Sequence, residues 1–479
     1  MASMREFIKS VGTVLPEIPK PERKPTLNER FIWTGIALIA YLVMATTPLY
    51  GITGTAAQSN PSTFLRVVFA SAQGTLMQLG IGPIVTAGLI LQLLVGSDII
   101  KLDMSDPSDR AIFGSATKLL TIIVIVGESM AYIYGGALGT LTADQSIVIF
   151  IQLVIASMLV LLFDEMIQKG WGIGSGVSLF ILAGVAQQVM WYTFSPIPFQ
   201  VATGVTQIFG FIPGAISQFF AGDIGSILIR ENFYPSVMTF SLTVVMILVL
   251  IYIEGIRVEL PITSIKYRGF QGVYPIKLLY VSNIPVILVS ALGANITFFA
   301  ELLERYSASN PPWWYHYLAV FPTSNSTSVY NASPVGGLVY YLTAPTSFGE
   351  TLSDPIHTVI FLLFLVGMSV VFARLWVEIG GLNSRAVAKN LMDADVQVPG
   401  FRRSGLSIEQ MLNRYIPTLT IIGGILIGLI AGVADIVGVF GTGIGMLLMV
   451  DIILQYYQML LKEQVEEVSP ALAGLIGAG

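Results

Sequence analysis

Gly80-Ile81-Gly82-Pro83-Ile84-Val85-Thr86 opens an apolar run that ends at Gly96. A helix that crosses a bilayer needs about 20 largely apolar residues, so 83–96 is too short to cross alone. A weaker apolar stretch, 61–79, precedes it after Asn60-Pro61. The pair reads as a partial helix that enters and turns back, then a short span, with Gly80, Gly82 and Pro83 as the break. Such a break is tolerated only where protein or a water-filled cavity covers the freed backbone.

Working outward, further apolar windows fall at 31–50, 116–135, 146–167, 174–192, 237–254, 275–299, 356–376, 411–432 and 437–461. With 83–96 that makes ten expected spans. The composition agrees: 479 residues, 54% hydrophobic and only 11% charged, against about 25% charged in soluble domains. A soluble globular chain is excluded. The fold class is an all-α polytopic membrane protein. A net charge of −5 argues against a nucleic-acid surface spread over the whole chain. Without cysteine, and with His316 and His357 as the only histidines, neither a thiolate site nor an imidazole metal cluster is expected, and no cofactor is implied.

Of the 24 Lys and Arg, 21 lie in alternate segments: 1–30, 97–118, 168–173, 255–277, 374–414 and the tail after 461. The other set holds only Arg66, Arg230 and Arg305. The positive-inside rule then places both termini in the cytoplasm. Met4 to Val14 reads as an interfacial amphipathic helix, tied to the first span by a proline-rich linker. The expected organisation is 1–30 helix and linker, 31–192 first half, 193–236 external loop, 237–462 second half and 463–479 tail. Loops 254–277 and 377–414 carry clustered Arg and Lys, the first with the alternation of a hairpin. Charge displayed on a rigid projection suits phosphate-rich partners; anchoring topology and binding anionic lipid explain it equally well.

Ten spans divide into two fives, and an odd number per half gives an inverted repeat. Gly172-Ile173-Gly174-Ser175-Gly176 and Gly441-Thr442-Gly443-Ile444-Gly445 open the fifth span of each half, and Pro83 has a counterpart in Asn283-Ile284-Pro285-Val286-Ile287. Ionisable residues that would couple transport are scarce. Glu128 and Asp451 are the exceptions, each either a site or a polar face against water or a neighbour. Ile81 with Val85, and Val177 with Ile181, stack on one helix face, as packing or as pore lining.

Together these blocks resemble the SecY family, the α subunit of the Sec protein-conducting channel, and its archaeal and eukaryotic branch in particular. The carriers are 80–86, Gly172 through Ile181, Leu260-Pro261, Tyr274-Pro275-Ile276-Lys277, Ser282-Asn283-Ile284-Pro285 and Leu412-Asn413-Arg414-Tyr415-Ile416-Pro417. Matches continue to Lys462-Glu463-Gln464. The resemblance implies two five-helix halves around a central pore whose waist is Ile81, Val85, Val177, Ile181, Ile287 and Leu448. It implies a plug over 61–79, with Arg66, Ser71 and Ala72, and a lateral gate between spans two and three and spans seven and eight. Glu128 stands where eukaryotic relatives keep an amide at that gate, and Asn295 is retained. Arg66 would cost about 2.5–3.5 kcal/mol at the centre of a membrane helix, so the plug is expected in a water-filled outer funnel; the alternative is Arg66 snorkelling from an interfacial helix to lipid phosphate.

The implied function is the passage of unfolded secretory polypeptides and the sideways release of membrane segments into lipid. Implied partners are small Sec subunits of the SecE or gamma type and the beta type, signal peptides and nascent chains, lipid, and a ribosome. Lys266, Arg268, Lys389 and Arg402 match the positions offered to ribosomal RNA. The implied location is the plasma membrane. No enzyme activity is expected: the glycine-rich 172–176 lacks the lysine and the preceding strand of a phosphate-binding loop. A secondary transporter with the same repeat would instead place polar groups at the helix breaks, and a scaffold without a pore leaves 61–79 unexplained.

Overall fold

A computed structural model describes residues 16–23, 25–52, 69–97, 99–100, 102, 106–135, 138, 141–200, 206–222, 224–230, 234–264, 271–281, 284–306, 312–321, 334–345, 348–393, 396–397 and 405–468. The first five long helices are α1 Leu27–Thr46, α2 Gly82–Gly96, α3 Pro107–Tyr134, α4 Ala143–Met166 and α5 Gly176–Phe194. A π turn, Ile167–Trp171, extends α4. A short hairpin (β1 Pro198–Gln200, β2 Thr206–Ile208) and helices α6 Phe211–Ala221 and α7 Ile224–Leu228 follow. Then come α8 Val237–Gly255, strands β3 Arg257–Ser264 and β4 Gln271–Lys277, and α9 Ile284–Tyr306. Three short helices, α10 Tyr315–Leu318, α11 Gly337–Leu342 and α12 Phe348–Ser353, lead to α13 Pro355–Ile379. The chain ends with α14 Ser384–Asp393, β5 Val396–Gln397, α15 Gly405–Val437 and α16 Gly443–Val468.

Nine helices among the described residues are long and apolar enough to span a membrane. The remaining expected span, α2, has 15 residues; at 1.5 Å rise per residue it reaches about 22 Å, short of a hydrocarbon core near 30 Å. Helix starts follow local chemistry. Thr26 with Glu29, and Thr142 with Gln145, form capping boxes at α1 and α4, and Asp106 and Asp354 cap α3 and α13 just ahead of a proline. Each supplies an acceptor to amides that a helix cannot satisfy itself.

Several boundaries differ from the sequence expectation; α3 begins at Pro107 rather than 116 and α15 at Gly405 rather than 411. The span expected from 275 begins at Ile284, because Gln271–Lys277 pairs with Arg257–Thr263 as an antiparallel ladder. The last span begins at Gly443 rather than 437, after a turn with positive φ at Gly438 and Gly441. The helix expected over 61–79 is replaced, in its described part 69–79, by turns. That part is tied to the end of α1 by Leu49 N–H to the Gly74 carbonyl (2.9 Å) and Leu76 N–H to the Thr47 carbonyl (3.0 Å). Arg66 and the amphipathic segment 4–14 lie outside the described residues.

Helix packing is close where side chains are smallest. A Cβ on Gly424 or Gly428 of α15 would stand 3.0 or 2.8 Å from the Cα of Val370 or Val366 in α13, so the two backbones touch along one face, as small residues allow in lipid. Outward faces are apolar: Ile32, Ile36, Ile39 and Val43 are exposed along one side of α1, the spacing of a lipid-facing stripe. The start of α1 and the last turns of α16 meet at one end of the bundle, where Arg30 pairs with Glu463. Trp171 donates to the Pro19 carbonyl there (2.8 Å), and Lys169 pairs with Glu17, which holds the Glu17 carboxyl below its usual range. At the same end, β5 joins the basic loops by pairing with β3 at Thr263 and Ser264. Val387 and Leu391 of α14 share a buried cluster with Ile276 of β4 and Ile408 and Leu412 of α15.

Candidate functional site

The start of α2 is fixed by backbone geometry. Gly80 has φ +55°, and a Cβ there would sit 2.1 Å from the Phe69 carbonyl oxygen. That carbonyl accepts from Ile81 N–H at 2.8 Å, which satisfies one amide freed by the break. The preceding turn is held from outside: Tyr41 of α1 stacks on Phe180 of α5 at 5.1 Å and donates its hydroxyl to the Ala70 carbonyl at 3.1 Å.

The six aliphatic residues singled out from the sequence all belong to or border one large buried cluster. Ile81 just before α2, Val85 of α2, Ile181 of α5 and Leu448 of α16 belong to it, and Val177 and Ile287 pack against it. Ile81, Ile181 and Leu448 have no exposed surface at all. Ala72, next to Ser71, packs on the same cluster, and Met77 is part of it. Ile81 immediately precedes α2, and the other five stand within the first two turns of their helices. Such a cluster can exclude water and ions; it has no group with which to hold a substrate.

The polar residues assigned to the gate both meet α2. Asn295 of α9 donates Nδ2–H to the Thr86 hydroxyl at 3.1 Å and to the Ala291 carbonyl at 2.8 Å. The Glu128 carboxylate of α3 lies 3.7 Å from where Gly82 would carry a Cβ, beside the Phe69 ring that faces the same point. The structure therefore brings Glu128 and Asn295 to one helix, four residues apart, without joining them directly. Asp451 is buried in α16 and accepts from Gln455 at 2.9 Å. Lys389 is exposed on α14; Lys266, Arg268 and Arg402 lie outside the described residues.

Sequence reasoning missed three residues. Thr86 is the partner of Asn295. Asp164 and Asp435, buried near the ends of α4 and α15, accept backbone amides from the starts of α5 and α16. Their signal was present: an acid late in an apolar span, shortly before a glycine knot.

Comparison with known proteins decides the family. The SecY family pattern matches residues 75–457. The chain belongs to the SecY family. The plug domain of Sec61p matches 39–74, which places the plug pattern earlier than 61–79. The protein translocase subunit SecY of Pyrococcus furiosus is 39% identical over 99% of both chains. A solved protein-conducting channel is similar with a TM-score of 0.81 and 35% identity, covering 97% of this chain and 98% of its own. Sec61 in the canine ribosome-channel complex of the endoplasmic reticulum gives 0.79 at 35% identity, with the same coverage. Ssh1 bound to the yeast 80S ribosome gives 0.75 at 26% identity, covering 96% and 94%. As a SecY family member the chain is a pore-forming translocon subunit, a channel and not an enzyme.

The Thr86–Asn295 bond joins α2 to α9. In a cycle of Thr86→Ala, Asn295→Ala and the double variant, thermal unfolding should give a coupling of about 0.6 to 1.7 kcal/mol, the measured range for hydrogen bonds between membrane helices. Strict additivity would mean that the bond does not hold the two helices together.

Proposed function

We propose that Ile81, Val85, Val177, Ile181, Ile287 and Leu448 form the constriction through which unfolded polypeptides pass. The observation that carries this reading is their convergence from four helices into one dry apolar cluster. The segment ending at Ala72 acts as the plug beneath it, with Ser71 and Arg66 on the plug. A gap between α2/α3 and α9/α13, bordered by Glu128, Asn295 and Thr86, is the lateral gate through which membrane segments leave. The chain divides about the loop 193–236 into halves 31–192 and 237–462. Combined replacement of the six by Ser or Gly should make the resting channel leak small ions in planar bilayers, whereas single changes leave neighbours that still exclude water. An electrically silent multiple variant contradicts the assignment.

Both termini and the joined basic loops face the cytoplasm of a cell whose plasma membrane holds the channel. Small Sec subunits surround it, and a ribosome docks on Lys266, Arg268, Lys389 and Arg402. The basic count of these loops, their rigid union through β5 and the ribosome-bound relatives support this. Reversing the four to Glu should weaken ribosome binding and lower the slope of log affinity against log salt by about 1 for each phosphate no longer neutralised. An unchanged slope would leave the loops as topology signals only.

A further inference from the structure

The starts of α5 and α16 are built alike. Each follows a glycine of positive φ, Gly174 at +76° and Gly441 at +86°, two residues before the first helical residue. At that first residue no side chain fits. A Cβ on Gly176 would stand 2.5 Å from Asp164 Cα, and one on Gly443 2.1 Å from the Ala431 carbonyl oxygen. In each case the preceding span supplies a carboxylate to the new helix. Asp164 Oδ1 accepts from Val177 N–H at 2.9 Å, and Asp435 Oδ1 accepts from Gly443 N–H at 2.6 Å.

The two constructions stand at opposite ends of the bundle. Ile173, just before α5, donates to Thr34 near the start of α1, at the end where Arg30 pairs with Glu463. Gly441, just before α16, faces Gln188 in the last third of α5. The carboxylates are 6% and 9% exposed. Asp164 Oδ2 also accepts from Gln168 at 2.8 Å, and Ser175 Oγ lies 3.4 Å from its Oδ1. Asp435 Oδ2 has no hydrogen-bond partner among the described residues. A buried carboxylate is expensive to keep, and this one spends its bond on the start of α16. Helix amides and the helix dipole favour an anion at that place.

We propose that Asp164 and Asp435 are a matched pair of positioning residues, one in each half. They fix where α5 and α16 begin, and so the height and rotation at which Val177, Ile181 and Leu448 enter the constriction. A helix turns 100° and rises 1.5 Å per residue, so a slip of one residue at either start would carry these side chains off the ring. The inference rests on the constriction assignment for its functional consequence, and on the two amide bonds for its geometry.

Two readouts separate these. Spin labels on cysteines replacing Leu159 and Met190 report α4 against α5, and labels replacing Leu429 and Ile453 report α15 against α16; all four positions are exposed and the chain has no cysteine of its own. Asp164→Ala and Asp435→Ala should each shift the corresponding distance and raise resting ion leak in planar bilayers about tenfold or more, the effect of losing one charged hydrogen bond. Asp→Asn at either place, which keeps an acceptor oxygen, should leave both readouts near those of the parent. If the alanine variants fail to insert, Asp164→Glu and Asp435→Glu carry the same test, because the longer acceptor displaces the helix start. Unshifted distances in the alanine or glutamate variants would overturn the proposal, as would asparagine variants as displaced as alanine. Shifted distances with silent constriction variants would remove the ring and leave the positioning pair standing.

Discussion

Helices α2, α5 and α16 begin at buried residues, and a helix that begins there must find acceptors for its first amides within the protein. Water is not available in the apolar slab, and each unsatisfied group would cost several kcal/mol. The Phe69 carbonyl serves Ile81 at the start of α2, Asp164 serves α5 and Asp435 serves α16. These acceptors fix the starts, and with them the proposed constriction: Ile81 immediately precedes α2, and the other five aliphatic residues lie in the opening two turns of their helices. Glycine is needed at 80, 176 and 443 because the Phe69 carbonyl oxygen, Asp164 and the Ala431 carbonyl oxygen respectively stand where a side chain would be.

What meets at that point is chemically plain. Ile, Val and Leu offer no charge, no fixed dipole and no hydrogen bond, so ions crossing the closed cluster would lose hydration without compensation. The same absence makes the site indifferent to the sequence of a passing polypeptide. Burial of each aliphatic side chain is worth about 1.5–3 kcal/mol, a favourable term of a size that a partner could offset. Beside it, the Thr86–Asn295 bond and the Glu128 carboxylate flank α2. The proposed lateral gate would part there by exchanging one hydrogen bond for water or for a bond to the entering chain.

Much of this was legible in the residues. The shortness of 83–96 and the Gly80, Gly82 and Pro83 pattern located the break, and the glycine knots at 172–176 and 441–445 located two more helix starts. Other features depended on neighbours that no local pattern encodes. Tyr274 through Leu279 continues an apolar run into the next span, and only pairing with β3 makes its first part a strand. Periodicity alone does not separate a short buried strand from a helix segment. The family resemblance marked Asn295, but its partner Thr86 lies 209 residues away. Asp164 and Asp435 stand late in their spans, shortly before a glycine knot, but which amides they serve is set only where the chain returns against them.

The central claim is that the dry cluster divides the channel into two aqueous sides. It is tested most directly by placing single cysteines at Ala72, Ile81, Val177, Ile181, Ile287, Leu448 and the exposed Lys20, and adding a membrane-impermeant thiol reagent to one side at a time. The account predicts reaction at Ala72 only from the side opposite Lys20, reaction at Lys20 only from its own side, and slow or no reaction at the five between them. Rapid labelling of Ile81, Ile181 and Leu448 from both sides in the resting channel would contradict it.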